Sequence, residues 1–183
     1  LMLRGPTGGA PQVNQGTGQL GLRPPSGRET LPEYDGGWRR PDGGADPYLS
    51  FVTDAHAVNW SAELEQLHQE STRDHFIDVL TRRSMLERLG PVPAHPVIAD
   101  LGCSTGYLLE DLRAMYPHAS LTGVDLVASG LREAHRNVPD ARLLQADVCA
   151  LPLEDESVDA ALSANLLEHM PDDQRALAEL RRV

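Results

Sequence analysis

A short apolar run ending in a glycine-bracketed turn constrains this chain more than any other feature. Val97-Ile98-Ala99-Asp100-Leu101 has the near-continuous apolar character of a strand buried on both faces. Gly102-Cys103-Ser104-Thr105-Gly106 reads as a tight turn that delivers the chain into a helix near Tyr107. Glycine at 102 and 106 permits positive φ and leaves the backbone open to a ligand, while the helix start offers unpaired N–H donors. Asp125 closes the next expected strand roughly twenty residues on, where a doubly wound sheet places the carboxylate that accepts both ribose hydroxyls.

The alternation continues from there. A helix is expected over about Thr105 to Met115, with Leu108, Leu109 and Leu112 as its sheet-facing stripe and Pro117 beyond its end. Ser120 to Asp125 is a second strand, Ala128 to Asn137 a helix, Ala141 to Ala146 a third strand ended by Asp147, and Val158 to Ala164 a fourth. A last helix starts at Asp172 or Asp173 and carries Leu177 and Leu180. Strands alternating with helices of this length imply right-handed crossovers, hence an α/β fold with a Rossmann-like, doubly wound, mostly parallel sheet. Ligands of such a sheet bind beyond the carboxyl ends of its strands, where Asp100, Asp125, Asp147 and Asn165 all fall. The fourth strand is expected to lie at an edge that something must cover.

Upstream the pattern differs. Residues 1–46 are dominated by Gly, Pro, Gln, Thr and Arg with almost no aliphatic periodicity, so a disordered tail is expected. Residues 47–91 read as a helical cap: a helix opened by Ser61 with Leu64 and Leu67, then one from about Thr72 to Leu89 with Phe76, Val79, Leu80, Leu86 and Leu89 at helical spacing. Gly90 and Pro91 end it. As a lid these helices would bring His75, Phe76 or Trp60 to a ligand; the alternative is that the apolar residues are core and the histidines solvated. Residues 92–183 form the binding core.

Charge excludes some partners. A formal net charge of −11 disfavours a nucleic-acid backbone or an anionic membrane as the main partner. Cys103 and Cys149 lack metal-ligand spacing, and no metal site is expected; their use suggests a reducing, cytoplasmic compartment. No apolar run reaches transmembrane length, so a protein without membrane insertion is expected.

Four stretches in order resemble one family, the class I S-adenosylmethionine-dependent methyltransferases. Ala99-Asp100-Leu101-Gly102-Cys103-Ser104-Thr105-Gly106 is similar to the first motif, an acid before a G-x-G-x-G turn, with Ser104 in place of the central glycine. Gly123-Val124-Asp125 is similar to the second, whose acid binds the ribose diol, and Gln145-Ala146-Asp147-Val148 to the third, whose aspartate receives the adenine amino group. Leu151 to Asp159 followed by Asn165 to Asp172 resembles the run around strand four in the branch that methylates small molecules and lipids. The resemblance implies S-adenosyl-L-methionine as cofactor and Asp100, Gly102, Cys103, Ser104, Gly106, Asp125, Leu126, Asp147, Val148 and Asn165 as its contacts. It also implies an acceptor that is a small molecule or a lipid or glycan. The family continues with a fifth parallel strand and a β-hairpin absent from this sequence, so a chain shortened at its C-terminus is expected.

Methyl transfer from a sulfonium releases a neutral thioether, so positioning carries most of the chemistry and a base is needed only for a protonated acceptor. His169 is the candidate base, with a pocket-wall or helix-capping role as its alternative. Asp125 and Asp147 have turn capping as theirs, and Asp100 has structural work, holding the turn N–H groups, beside a place near the amino acid part of the cofactor. Two other functions remain open on sequence: a nicotinamide-dependent oxidoreductase, whose fingerprint needs a glycine where Tyr107 stands, and a non-catalytic cofactor-binding fragment.

Overall fold

In the computed structural model, which describes residues 2–4, 20–24, 30–52 and 73–183, the expected alternation forms a central sheet. The strands are β1 (Met2–Arg4), β2 (Trp38–Arg39), β3 (Ala45–Asp46), β4 (Leu49–Ser50), β5 (Val97–Leu101), β6 (Ser120–Asp125), β7 (Arg142–Gln145) and β8 (Ala160–Leu162). The helices are α1 (Phe76–Leu89), α2 (Tyr107–Met115), α3 (Ala128–Asn137) and α4 (Asp173–Arg182). The sheet order is β1-β8-β5-β6-β7-β4. β8, β5, β6, β7 and β4 are parallel in succession and β1 runs antiparallel along β8, while β2 and β3 pair separately. The mostly parallel, doubly wound architecture read from the sequence is therefore present.

Successive strand residues point to opposite faces, and both faces are packed. Ile98, Leu121, Leu143, Ala160 and Leu162 face a core shared with Leu108, Leu109 and Leu112 of α2 and with Leu131 and Ala134 of α3. Ala99, Leu101, Val124, Leu144 and Ala161 face the other core, shared with Ala176 and Leu180 of α4. The C-terminal helix is pinned by Arg182, whose guanidinium donates to the Leu151 and Leu153 carbonyls, to Glu179 and to Asp155.

Three expectations need correction. Residues 1–46 are not uniformly a disordered tail: Leu20, Leu22 and Trp38 are buried in the second core, and β1 covers the β8 edge. Single large side chains do this without periodicity. The Trp38 indole N–H donates to the Leu143 carbonyl at 3.0 Å and the Tyr34 hydroxyl to the Ala141 carbonyl at 2.9 Å, tying the segment to β7. The second correction concerns α1, which buries Leu89 but leaves Phe76 66% exposed, Leu80 58% and Val79 39%. Only its last turns, through Met85, Leu86 and Leu89, join the core. Third, β7 and β8 are shorter than the apolar runs suggested, since their flanks bend into loops. Trp60 and the helix expected from Ser61 lie outside the described residues.

Candidate functional site

The first turn owes its shape to three unusual backbone conformations. Gly102 and Gly106 have φ of +78° and +79°, and Ser104, with a side chain, is held at +43°. Both Gly102 N–H and Cys103 N–H donate to the Val124 carbonyl, at 2.8 and 3.1 Å, so the turn folds over the end of β6. Ser104 N–H donates to Asp125 Oδ2 at 2.8 Å and Val127 N–H to Asp125 Oδ1 at 2.8 Å. Strain at Ser104 is thus offset by a charge-assisted hydrogen bond.

Strand register arranges the three aspartates. Asp100 lies opposite Gly123, and Asp125 lies opposite Gln145. Direct partners of parallel strands share a face, as do residues two apart on one strand, so Asp100, Asp125 and Gln145 share one side of the pleat. Asp147 follows Gln145 by two residues and caps a short 3₁₀ turn, its Oδ1 accepting from Cys149 N–H at 2.8 Å. The three carboxylates therefore form a staircase along the ends of neighbouring strands.

They open on a single cleft of about 200 Å³. Its lining includes Asp100, Gly102, Cys103, Ser104, Asp125, Leu126, Asp147, Val148, Asn165 and His169, all anticipated from the sequence. Gly106 is not among them. A Cβ there would lie 3.0 Å from the Ala134 Cβ and 3.1 Å from its Cα, so this glycine lets the turn approach α3 rather than a ligand. Cys149 also stands outside the lining; burial, then the neighbouring Asp147, pushes its thiol up, which disfavours a thiolate. Neither His75 nor Phe76 lines the cleft. In their place α1 contributes Asp78, Thr81 and Arg82, a polar i, i+3, i+4 stripe whose only sequence signal was its contrast with the apolar residues around it. Asn165, held at φ +49°, donates to Asp78 at 3.4 Å across the cleft.

Asp100 gives the cleft its electrostatic character. It is 2% exposed, and burial, followed by the charge of Asp125, raises its carboxyl to about 7. A buried acid in this condition is stabilised in its ionised form by a cation. Each oxygen of the Asp125 carboxylate accepts from a backbone N–H, and a carboxylate oxygen has a second lone pair with which it can accept from a hydroxyl. Asp147 keeps Oδ2 for an amino donor. These acceptors match the ammonium, diol and exocyclic amine of S-adenosylmethionine, so the residues present fit that group. Among the described residues no cluster of His, Cys, Asp and Glu is arranged to hold a metal ion, and no helix is long and apolar enough to cross a membrane.

Comparison with known proteins bears on family and fold. Residues 99–183 match the model of a methyltransferase domain family. The chain is 34% identical over 137 residues to a malonyl-[acyl-carrier protein] O-methyltransferase of Halorhodospira halophila, covering 71% of this chain and 46% of that protein. It is 35% identical over 109 residues to a trans-aconitate 2-methyltransferase of Methylobacterium nodulans, covering 58% and 42%. The fold superposes on phosphoethanolamine N-methyltransferase 2 of Haemonchus contortus, solved with phosphomonomethylethanolamine and S-adenosylhomocysteine, with a TM-score of 0.56 at 19% identity, covering 67% of this chain and 31% of that one. The chain spans less than half the length of these relatives. A nicotinamide-dependent oxidoreductase, the alternative kept open above, is set aside by these matches. Residues 99–183 belong to the class I S-adenosylmethionine-dependent methyltransferases, and S-adenosyl-L-methionine is the cofactor of that family.

Proposed function

We propose that the cleft at the ends of β5, β6 and β7 binds S-adenosylmethionine and that the protein transfers its methyl group to a carboxylate oxygen of a small acid. The staircase of Asp100, Asp125 and Asp147 carries the cofactor half of this reading. Asp125 takes the ribose diol, Asp147 the adenine amino group, and Asp100 the α-ammonium, while Ser104 and Gly102 line the backbone path between them. When bound, the cofactor supplies an electrophilic methyl on a cationic sulfur, displaced in line with loss of a neutral thioether.

The acceptor half rests on chemistry and on relatives. The names of the O-methyltransferase acting on malonyl-[acyl-carrier protein] and of the trans-aconitate 2-methyltransferase both describe acids as acceptors. A carboxylate is already deprotonated near neutrality, so the site needs no base, and alignment within about 3–3.5 Å supplies the catalysis. A hydroxyl acceptor would instead require His169, which lines the cleft from the loop after β8.

The test is methyl transfer from labelled S-adenosylmethionine to a panel of dicarboxylic and tricarboxylic acids and acyl thioesters carrying a free carboxylate, compared with phenols and amines. Base-labile methyl esters formed from the acids, with His169→Ala retaining activity within about threefold, support the reading. Transfer confined to phenols or amines, or loss of activity by more than about a hundredfold in His169→Ala, overturns the acceptor assignment. NADH rather than S-adenosylhomocysteine raising the melting temperature would overturn the cofactor assignment.

A further inference from the structure

Among the described residues the cleft is lined by four aspartates, Asp78, Asp100, Asp125 and Asp147, and by a single arginine or lysine, Arg82. That arginine comes from α1, outside every stretch that carries the family resemblance. Its side chain is 14% exposed and is held in place. Nε donates to Asp111 Oδ2 at 2.8 Å, and Nη2 donates to the Arg73 carbonyl at 3.1 Å. Its Cζ stands 5.8 Å from the ring centroid of Tyr107, the first residue of α2, and Arg73 approaches the same ring at 5.4 Å. A planar guanidinium fixed in this way loses little freedom on meeting a carboxylate.

The cofactor's amino acid end carries one cation and one anion on the same carbon. A cleft whose other charged walls are carboxylates would repel that anion unless Arg82 receives it. We propose that Arg82 is the positioning residue for the α-carboxylate of the cofactor, lining the same cleft as Asp100, which takes the α-ammonium. The two contacts fix the amino acid end and so the direction in which the sulfur presents its methyl group. The inference rests on the cofactor and not on the acceptor, and it survives failure of the carboxylate-acceptor reading.

Calorimetric titration with two ligands tests it. S-adenosylhomocysteine carries the amino acid group, whereas 5′-methylthioadenosine has the same nucleoside and thioether without it. Arg82→Met should weaken S-adenosylhomocysteine at least about tenfold while leaving 5′-methylthioadenosine within about twofold, with Arg82→Lys intermediate. Asp111→Ala removes the bond between α1 and α2 but keeps the cation, so the ratio of the two affinities should stay within about twofold of wild type. Equal losses on both ligands in Arg82→Met assign the residue a purely structural role and overturn the proposal. So does unchanged S-adenosylhomocysteine binding combined with a raised KM for the acceptor, which would give the arginine to the acceptor's carboxylate. Should Arg82→Met fail to fold, an unchanged affinity ratio in Arg82→Lys overturns it as well.

Discussion

The buried carboxyl of Asp100 makes stability and cofactor affinity respond to pH in opposite directions. Burial and the neighbouring Asp125 raise it to about 7 from the ordinary 3.8. Below 3.8 the group is protonated in the folded and the unfolded chain alike; between 3.8 and about 7 only the folded chain keeps the proton. Its contribution to stability is therefore full in acid, declines across that window and is lost above it. The interval corresponds to about 4 kcal/mol. An α-ammonium beside the carboxylate reverses the preference by favouring the ionised form. At about pH 5.5 the ionised fraction is about 3%, so the Kd for S-adenosylhomocysteine should be about 30-fold weaker than at about pH 8.5. Asp100→Asn removes both effects: affinity becomes flat with pH and stays near the acid value of the wild type, while the ligand-free protein melts at a higher temperature than wild type at about pH 8.5. Calorimetry at three pH values and melting curves without ligand read both. A wild-type Kd that does not change between about pH 5.5 and 8.5, or Asp100→Asn lowering the melting temperature at the alkaline end, refutes the reasoning.

Three further substitutions address the framework. Asp125→Ala strips the acceptor from the Ser104 and Val127 N–H groups as well as from the proposed ribose contact; it should weaken S-adenosylhomocysteine by about a hundredfold and cost about 1–3 kcal/mol in denaturant unfolding. Gly106→Ala places a Cβ 3.0 Å from that of Ala134 at a φ of +79°, and should cost about 1–3 kcal/mol, an unchanged unfolding midpoint being the contrary result. Trp38→Ala removes a side chain that is 3% exposed and its bond to the Leu143 carbonyl. A loss of about 3–5 kcal/mol is expected; a change below about 0.5 kcal/mol would restore the reading of the N-terminal segment as an unstructured tail.

How much of this was legible depended on whether a residue's role was written in periodicity. β5, β6 and α3 begin and end where the sequence indicated, because strands buried on both faces and an apolar helical stripe leave strong local patterns. The acids at the strand ends followed from the same register, since direct partners of parallel strands and residues two apart on one strand emerge on the same side of the sheet. Trp38, Leu20 and Leu22 were not legible: each is one apolar residue among glycines and prolines, and its burial depends on β7 and the loop beyond it, distant in sequence. The orientation of α1 was misjudged for a related reason. Its apolar residues have helical spacing, yet only the last turns reach the core, and the face toward the cleft is the polar stripe of Asp78, Thr81 and Arg82. Gly106 looked like part of the ligand cradle by its place in the motif, whereas the space beside it is filled by Ala134.

A structure of the protein with S-adenosylhomocysteine tests the central claim most directly. The ribose hydroxyls should lie within hydrogen-bond distance of the Asp125 carboxylate, about 2.6–3.0 Å, with the adenine amino group on Asp147 and the amino acid end over Gly102. Ligand density away from the ends of β5, β6 and β7, or a nucleoside bound with Asp125 turned from the ribose, would contradict it.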